Sequence, residues 1–275
     1  MSAVRTATAY PDCLRRCDEC GVGFSNARTG PTLIYRSPEQ NVPEDVRSGV
    51  LDVLGQALNI RNRPQKLVKF GFSTSEDALT WTVFRYLQQS EHLALVFRAL
   101  GVVQCQTGEP TVLYWGTPSR HSQAGDELRS RLIAICNELG ENPLSRSEPD
   151  IILDFGDAGV VVIEVKYRSP NDRRPFDARY TKYVWNTTAF SDAEAVGRSG
   201  LCELARNWRI GVDLAAGRPF ILMNLVKRVE GAEQMAQFCS GLSTVKGSFR
   251  TILWKKLISV FAQPEWLQRY LSTRL

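Results

Sequence analysis

Pro149-Asp150-Ile151-Ile152-Leu153-Asp154-Phe155-Gly156-Asp157-Ala158-Gly159-Val160-Val161-Val162-Ile163-Glu164-Val165-Lys166 is the stretch whose reading decides the fold. Residues 151 to 155 are apolar and β-prone, Gly156 to Gly159 carry turn chemistry, and a second β-branched run follows over 160 to 167, so the segment reads as a β-hairpin. Side chains alternate along a strand. Glu164 and Lys166, two residues apart, therefore share one face while Val165 points to the other. Asp150 stands at the start of the paired strand, close to both.

Two acids and a lysine on one small surface suit the hydrolysis of a phosphodiester. The charge of that group repels nucleophiles, and Mg²⁺ answers with hard oxygen ligands and neutralising charge. Asp150 and Glu164 are the candidate metal ligands. Lys166 is the candidate for orienting or helping to deprotonate water and for stabilising charge on the phosphoryl oxygens. Without a cation between them, two adjacent carboxylates repel and one tends to protonate. The plainer alternative is a Glu-x-Lys on a solvated edge strand, with Asp after Pro as turn chemistry. The run Val160 to Ile163 reads as buried on both faces, and charges at the end of such a strand favour a site.

Pro149, Asp150, Glu164, Val165 and Lys166 resemble the motif of the PD-(D/E)xK nuclease superfamily, which has the restriction-endonuclease-like fold and includes Holliday junction resolvases. The resemblance implies an α/β protein with an αβββαβ core, a mixed central sheet flanked by helices, and an acid on the first helix completing a Mg²⁺ or Mn²⁺ site. It also implies an endonuclease acting on DNA, in defence or repair, with other proteins of such a complex as partners and a homodimer as one assembly. For the first helix, Gly125 to Gly140 has Asp126 and Glu127 in its first turn and Leu128, Leu132, Ile135 and Leu139 at helical spacing. Glu127 is the first choice for its acid. An acid there is also favoured by the helix dipole alone, and Glu76 and Glu138 are the competitors. A helix over 191 to 215 and a buried strand Phe220 to Val226 continue the expected order, with the core at about 122 to 228. One branch of the family carries Gln-x-x-x-Tyr on that later helix, and this chain does not. Arg206 and Arg209 there could meet a phosphate or simply face solvent.

The chain has 275 residues, a net charge of +5 and 43% hydrophobic residues, so a nucleic-acid surface has to be local. The segment Tyr167 to Tyr183 reads as a loop in which Arg168, Arg173, Arg174 and Lys182 are candidate phosphate contacts and tyrosines could stack on a base. No Gly-x-x-x-x-Gly-Lys-Ser/Thr loop, Gly-x-Ser-x-Gly elbow or His-Glu-x-x-His pair is present, and two histidines leave little for nucleophilic triads. The alternative to a nuclease is an inactive nucleic-acid-binding or scaffold module of a larger complex.

Cys13-Leu-Arg-Arg-Cys17-Asp-Glu-Cys20-Gly21 gathers three cysteines. That spacing suggests soft-metal ligation: Zn²⁺ on Cys13, Cys17 and Cys20, or an iron–sulfur cluster, with a fourth ligand from a distant cysteine, His92, His121 or another chain. Cysteines 105, 136, 202 and 239 are scattered among apolar segments and read as buried free thiols. No run approaches a membrane span and the first residues are too polar for a signal peptide, so a cytoplasmic protein is expected. Residues 1 to 70 read as an N-terminal cysteine-containing elaboration with a helix over 43 to 58, and 71 to 275 as the nuclease-like domain. The latter opens on the capping sequence Ser75-Glu76 and closes on two amphipathic helices over 249 to 271.

Overall fold

The computed structural model of the protein describes residues 14 to 25, 31 to 103 and 108 to 275. A small antiparallel sheet comes first, from β1 (Leu14–Arg16), β2 (Gly23–Ser25) and β3 (Thr32–Ile34). Helices α1 (Glu44–Arg47), α2 (Val50–Gly55), α3 (Arg63–Phe70), α4 (Glu76–Gln89) and α5 (Leu93–Ala99) follow. Then come β4 (Thr111–Tyr114), β5 (Thr117–Pro118), α6 (Gln123–Glu138), β6 (Ile151–Asp154) and β7 (Val160–Lys166). The chain ends with α7 (Ala178–Val184), α8 (Ala193–Ser199), α9 (Cys202–Ala215), β8 (Phe220–Val226), α10 (Ala232–Ser240), β9 (Ser248–Leu253), α11 (Trp254–Ile258) and α12 (Glu265–Ser272).

The principal sheet has six strands in the order β5-β4-β6-β7-β8-β9. Antiparallel pairing links β5 through β7, and parallel pairing links β7, β8 and β9, so β7 is the strand at which the sheet changes character. The hairpin expected over 150 to 167 forms with Ile151 opposite Ile163. Alternation then sorts its side chains between two layers. Val161, Ile163 and Val165 pack with α4, α5 and the C-terminal helices, and Val160 and Val162 pack with α6, α9 and α10. Each such buried side chain contributes about 1.5–3 kcal/mol. Both faces of β7 are thus covered, and the face shared by Glu164 and Lys166 is the one under α9.

Several expected elements are divided or replaced. The helix over 191 to 215 is two helices, because Gly200 takes φ +69°. A Cβ there would meet the Arg174 carbonyl oxygen at 2.9 Å. The helix over 43 to 58 breaks likewise at Gly49, φ +80°. Residues 249 to 253, read as helical, are the edge strand β9 paired with β8, and only 254 to 258 and 265 to 272 are helical. The segment after the motif is not all loop, since Asp177 caps α7 by accepting the Arg179 N–H at 2.9 Å. Packing also runs across the expected boundary at residue 70: Val42, Val46, Val50, Val53 and Phe70 share the layer that holds α4.

Candidate functional site

At the carboxyl end of β7 the sheet alternation brings Asp150, Glu164 and Lys166 together. Ser75 starts α4 by accepting the Ala78 N–H, which places Glu76 in the first helical turn, and its Oε2 accepts the N–H of Tyr167, the residue that follows β7. Asp150 Oδ2 accepts the Val165 N–H at 2.8 Å. Glu164 is 5% exposed. Its Oε1 lies 2.7 Å from Lys166 Nζ, and its Oε2 accepts from Asn207 Nδ2 at 2.6 Å. Lys166 Nζ also donates to Glu203 Oε2 at 2.9 Å. The group lines a cleft of about 750 Å³ that also holds Arg206.

Burial sets the electrostatics. It pushes the Asp150 carboxyl well above the usual range, and the charge of Glu164 adds to this against the pull of Lys166. Burial likewise pushes Glu76 up to about 7. Lys166 moves the other way: burial opposes its charge, but Glu164, Glu203, Glu76 and Asp150 outweigh that and raise its pKa. Glu203 stays below the ordinary carboxylate range because Lys166 and Arg206 outweigh its burial. The lysine is therefore the protonated centre of an acidic cluster. A second unit lies in the same cleft, where buried Lys66 pairs with Glu148 at 3.0 Å and Asp77 at 3.6 Å beneath the face of Trp115. Lys69, Arg146, Arg179 and Lys182 complete the lining with more exposed positive charge.

Of the candidates for the helical acid, the structure brings Glu76 to the cluster and leaves Glu127 outside it. Glu127 is exposed on α6, where its Oε1 accepts from Gln123 Nε2 at 2.8 Å. The stripe Leu128, Leu132 and Cys136 faces the core, which turns its neighbour Glu127 to solvent. Glu138 is exposed too and lines a different recess. The expected phosphate contacts are dispersed. Lys182 reaches the main cleft, and its Nζ donates to the Gly140 carbonyl at 3.2 Å. Arg173 lines a neighbouring recess of about 530 Å³ that shares Lys166 and Glu203 with the cleft. Arg174 is tied to Asp172, and Arg168 lies against the Tyr167 ring. Arg206 sits inside the cleft beside Glu203 and Glu164, while Arg209 pairs with Asp213 at 2.7 Å.

The residues that the sequence reading missed are Glu203 and Asn207, four apart on α9 and hence on one helical face. Asn207 is fully buried among Ala205, Trp208 and Ile210. A polar side chain amid such neighbours is the signal that could have marked it. Lys66, Asp77 and Glu148 gave no comparable pattern, because they come from three separate stretches of chain.

Cys17 and Cys20 lie in the turn joining β1 to β2 and are exposed. The backbone N–H groups of Cys20 and Glu19 and the Cys20 thiol hold the Cys17 thiol below its usual range. Cys13, the third expected ligand, lies outside the described residues, as does Cys105; of the thiols expected to be buried, Cys136 and Cys202 are, and Cys239 is exposed near the end of α10. His92 precedes α5 and His121 stands beside the Ser122 cap of α6. Among the described residues no three His, Cys, Asp or Glu side chains gather as a ready metal cage. At the Glu164 cluster the Lys166 ammonium stands between Glu164 and Glu203. No helix among the described residues is long and apolar enough to cross a membrane. No family model, curated protein or solved structure matches this chain.

Proposed function

We propose that the cleft at the end of β7 hydrolyses phosphodiester bonds of DNA with a divalent cation. The observation that carries this reading is the contact of Glu164 with Lys166 beside Asp150 and Glu76 on the floor of one cleft. The donor set fits Mg²⁺ or Mn²⁺. Glu76, Asp150 and Glu164 offer hard carboxylate oxygens, and burial raises Glu76 and Asp150, so a cation there would favour their ionised forms. A cation held there would supply Lewis acidity and a polarised water.

The remaining work belongs to the chain. Lys166 is kept protonated by its acidic neighbours, so it suits donation to the phosphoryl oxygens better than removal of a proton from water. Glu203 draws Lys166 toward α9, and Asn207 holds the Glu164 carboxylate from the opposite side, so both are positioning residues. Lys69, Arg146 and Lys182 supply positive charge for the flanking phosphates, while the Arg179 guanidinium is held by Asp177. Arg206 offsets the acids from within.

The experiment is cleavage of linear, nicked, branched and single-stranded DNA, and of RNA, by purified protein with Mg²⁺ or Mn²⁺. Cleavage that disappears in Glu164→Ala and Lys166→Ala is the expected result. No cleavage of any form with either ion would overturn the reading and leave the cleft as the groove of a binding module.

A further inference from the structure

We propose that Cys17 and Cys20 form half of a tetrahedral zinc site, completed by the same two residues of a second copy of this chain.

The β1–β2 turn is built like a metal knuckle. Cys17 N donates to the Val22 carbonyl at 2.9 Å and Gly21 N donates to the Cys17 carbonyl at 2.9 Å, which folds the chain back on itself at Gly21, φ +69°. The amides of Glu19 and Cys20 turn toward the Cys17 sulfur, where they favour a thiolate. Glycine suits position 21 for its positive φ, and a Cβ there would sit tightly, 3.1 Å from Arg36 Cγ. Two exposed thiols are thus presented outward by backbone geometry, in an arrangement with no role in packing.

Two thiolates do not satisfy zinc, which takes four ligands with Zn–S distances of about 2.3 Å. Among the described residues the turn presents two exposed thiols, Cys17 and Cys20. No group of three potential ligands forms there among the described residues. A pair is half of a tetrahedron. Two copies related by a twofold axis supply two plus two, a closed isologous arrangement.

The surface around the turn suits that partner. Alternation puts Val22, Phe24 and Leu33 on the outer face of the small sheet, with Phe24 directly opposite Leu33, while Ser25, Thr32 and Ile34 face inward. Val22 is 45%, Phe24 39% and Leu33 55% exposed. Arg15 stands opposite Phe24, so this face carries an arginine beside the apolar residues, and two residues on, the Cys17 N–H donates to the Val22 carbonyl. Four thiolates on Zn²⁺ leave a double negative charge, and two arginines stand at the same turn: Arg16, whose guanidinium caps the Gly21 carbonyl at 2.5 Å, and Arg36, whose stem lies against Gly21. Soft thiolates and the hard carboxylates of the cleft select different metals, so this site stands independently of the hydrolytic reading.

The test is titration of reduced, metal-free, full-length protein with Co²⁺ and then Zn²⁺, read by absorbance and by molar mass in solution. The expected result is one metal per two chains, tetrahedral thiolate bands with Co²⁺, and a dimer that chelator dissolves. Cys17→Ser and Cys20→Ser abolish both signals with unchanged circular dichroism, and Cys13→Ser retains them. Phe24→Asp weakens the metal-linked dimer roughly tenfold or more by setting like charges across the axis. One metal per monomer, dependence on Cys13, or folded protein that takes up neither ion overturns the proposal.

Discussion

Lys166→Met is the substitution that most directly tests the charge organisation of the cleft. Methionine keeps much of the apolar stem and removes the ammonium held by Glu164 at 2.7 Å and Glu203 at 2.9 Å. The side chains of the tighter pair, Lys166 and Glu164, are only 12% and 7% exposed. Breaking such a buried pair leaves an uncompensated carboxylate and costs about 3–5 kcal/mol. For a chain of this size each kcal/mol is worth about 2–4 °C, so Tm falls by roughly 6–20 °C. The sign of the pH dependence follows. Without the lysine the clustered acids are pushed further up, and protonating them relieves the repulsion, so the deficit relative to wild type is largest near pH 8 and shrinks toward pH 5. Divalent cation should replace the missing charge: Mg²⁺ at a hundredfold excess over its Kd restores about 2.7 kcal/mol. Glu164→Gln in the same chain should recover part of the loss, since the pair is coupled. The assay is thermal unfolding by circular dichroism at pH 5 and pH 8, with and without Mg²⁺. A Lys166→Met protein with wild-type Tm at both pH values would refute the reasoning, because the acids would then not depend on the lysine.

Glu76, held up to about 7 by burial, makes the metal-free protein lose stability as pH rises from about 4.5 to 7, since the unfolded chain ionises first. Glu76→Gln should flatten that slope and stabilise the protein at pH 8 by up to about 3 kcal/mol, less whatever the Tyr167 N–H contact loses, while eliminating cleavage; denaturant titrations at pH 5 and 8 check it. Asn207→Ala removes a hydrogen bond to a buried carboxylate and should cost about 1.5–3 kcal/mol in unfolding experiments, with a loss of kcat larger than any change in KM. Glu127→Gln, altered on an exposed helix face, should cut and melt like wild type, and a loss of activity matching that of Asp150→Asn would return the helical acid to α6.

The hairpin was legible because its signals are local: β-branched runs, a glycine-bounded turn and a two-residue alternation need no tertiary information. The same holds for Phe220–Val226 and for the capped start of α4, whereas α6 begins at Gln123 under the Ser122 cap, two residues before the expected start at Gly125. Boundaries were lost where one glycine outweighed a continuous apolar pattern, as at Gly49 and Gly200. β9 was lost because Phe249, Ile252 and Leu257 satisfy a helical period as readily as a strand followed by a short helix, and only pairing with β8 decides between them. The site divided along the same line. Asp150, Glu164 and Lys166 lie within one hairpin, whereas Glu76, Glu203 and Asn207 arrive on helices whose rotation about their axes is fixed by packing. Glu127 and Glu76 present the same sign in sequence, an acid in a first helical turn, and the choice between them rests on which helix abuts the end of β7.

The placement of the cluster follows from the sheet. β7 is antiparallel to one neighbour and parallel to the other, so no hairpin turn covers the ends of β7 and β8, and the chain must leave both toward helices. Crevices outside the carboxyl ends of parallel strands at such a change of direction are where open α/β sheets bind ligands. Here two helices start at that crevice. Glu76 is the first residue of α4 and Glu203 the second of α9, each near the positive end of a helix dipole. A carboxylate so placed gains about 0.3–1 kcal/mol, and up to about 2 when partly buried. Burial at Glu76 exceeds that compensation, since its pKa still rises to about 7. At Glu203 the added pull of Lys166 and Arg206 reverses the balance. The two helix ends thus make tolerable a concentration of negative charge that the hairpin alone could not hold, and Lys166 absorbs part of what remains. Burial raises Glu76 and Asp150 above the ordinary range, so these are the two carboxyls that stay protonated to higher pH and that a divalent cation would be expected to deprotonate on binding.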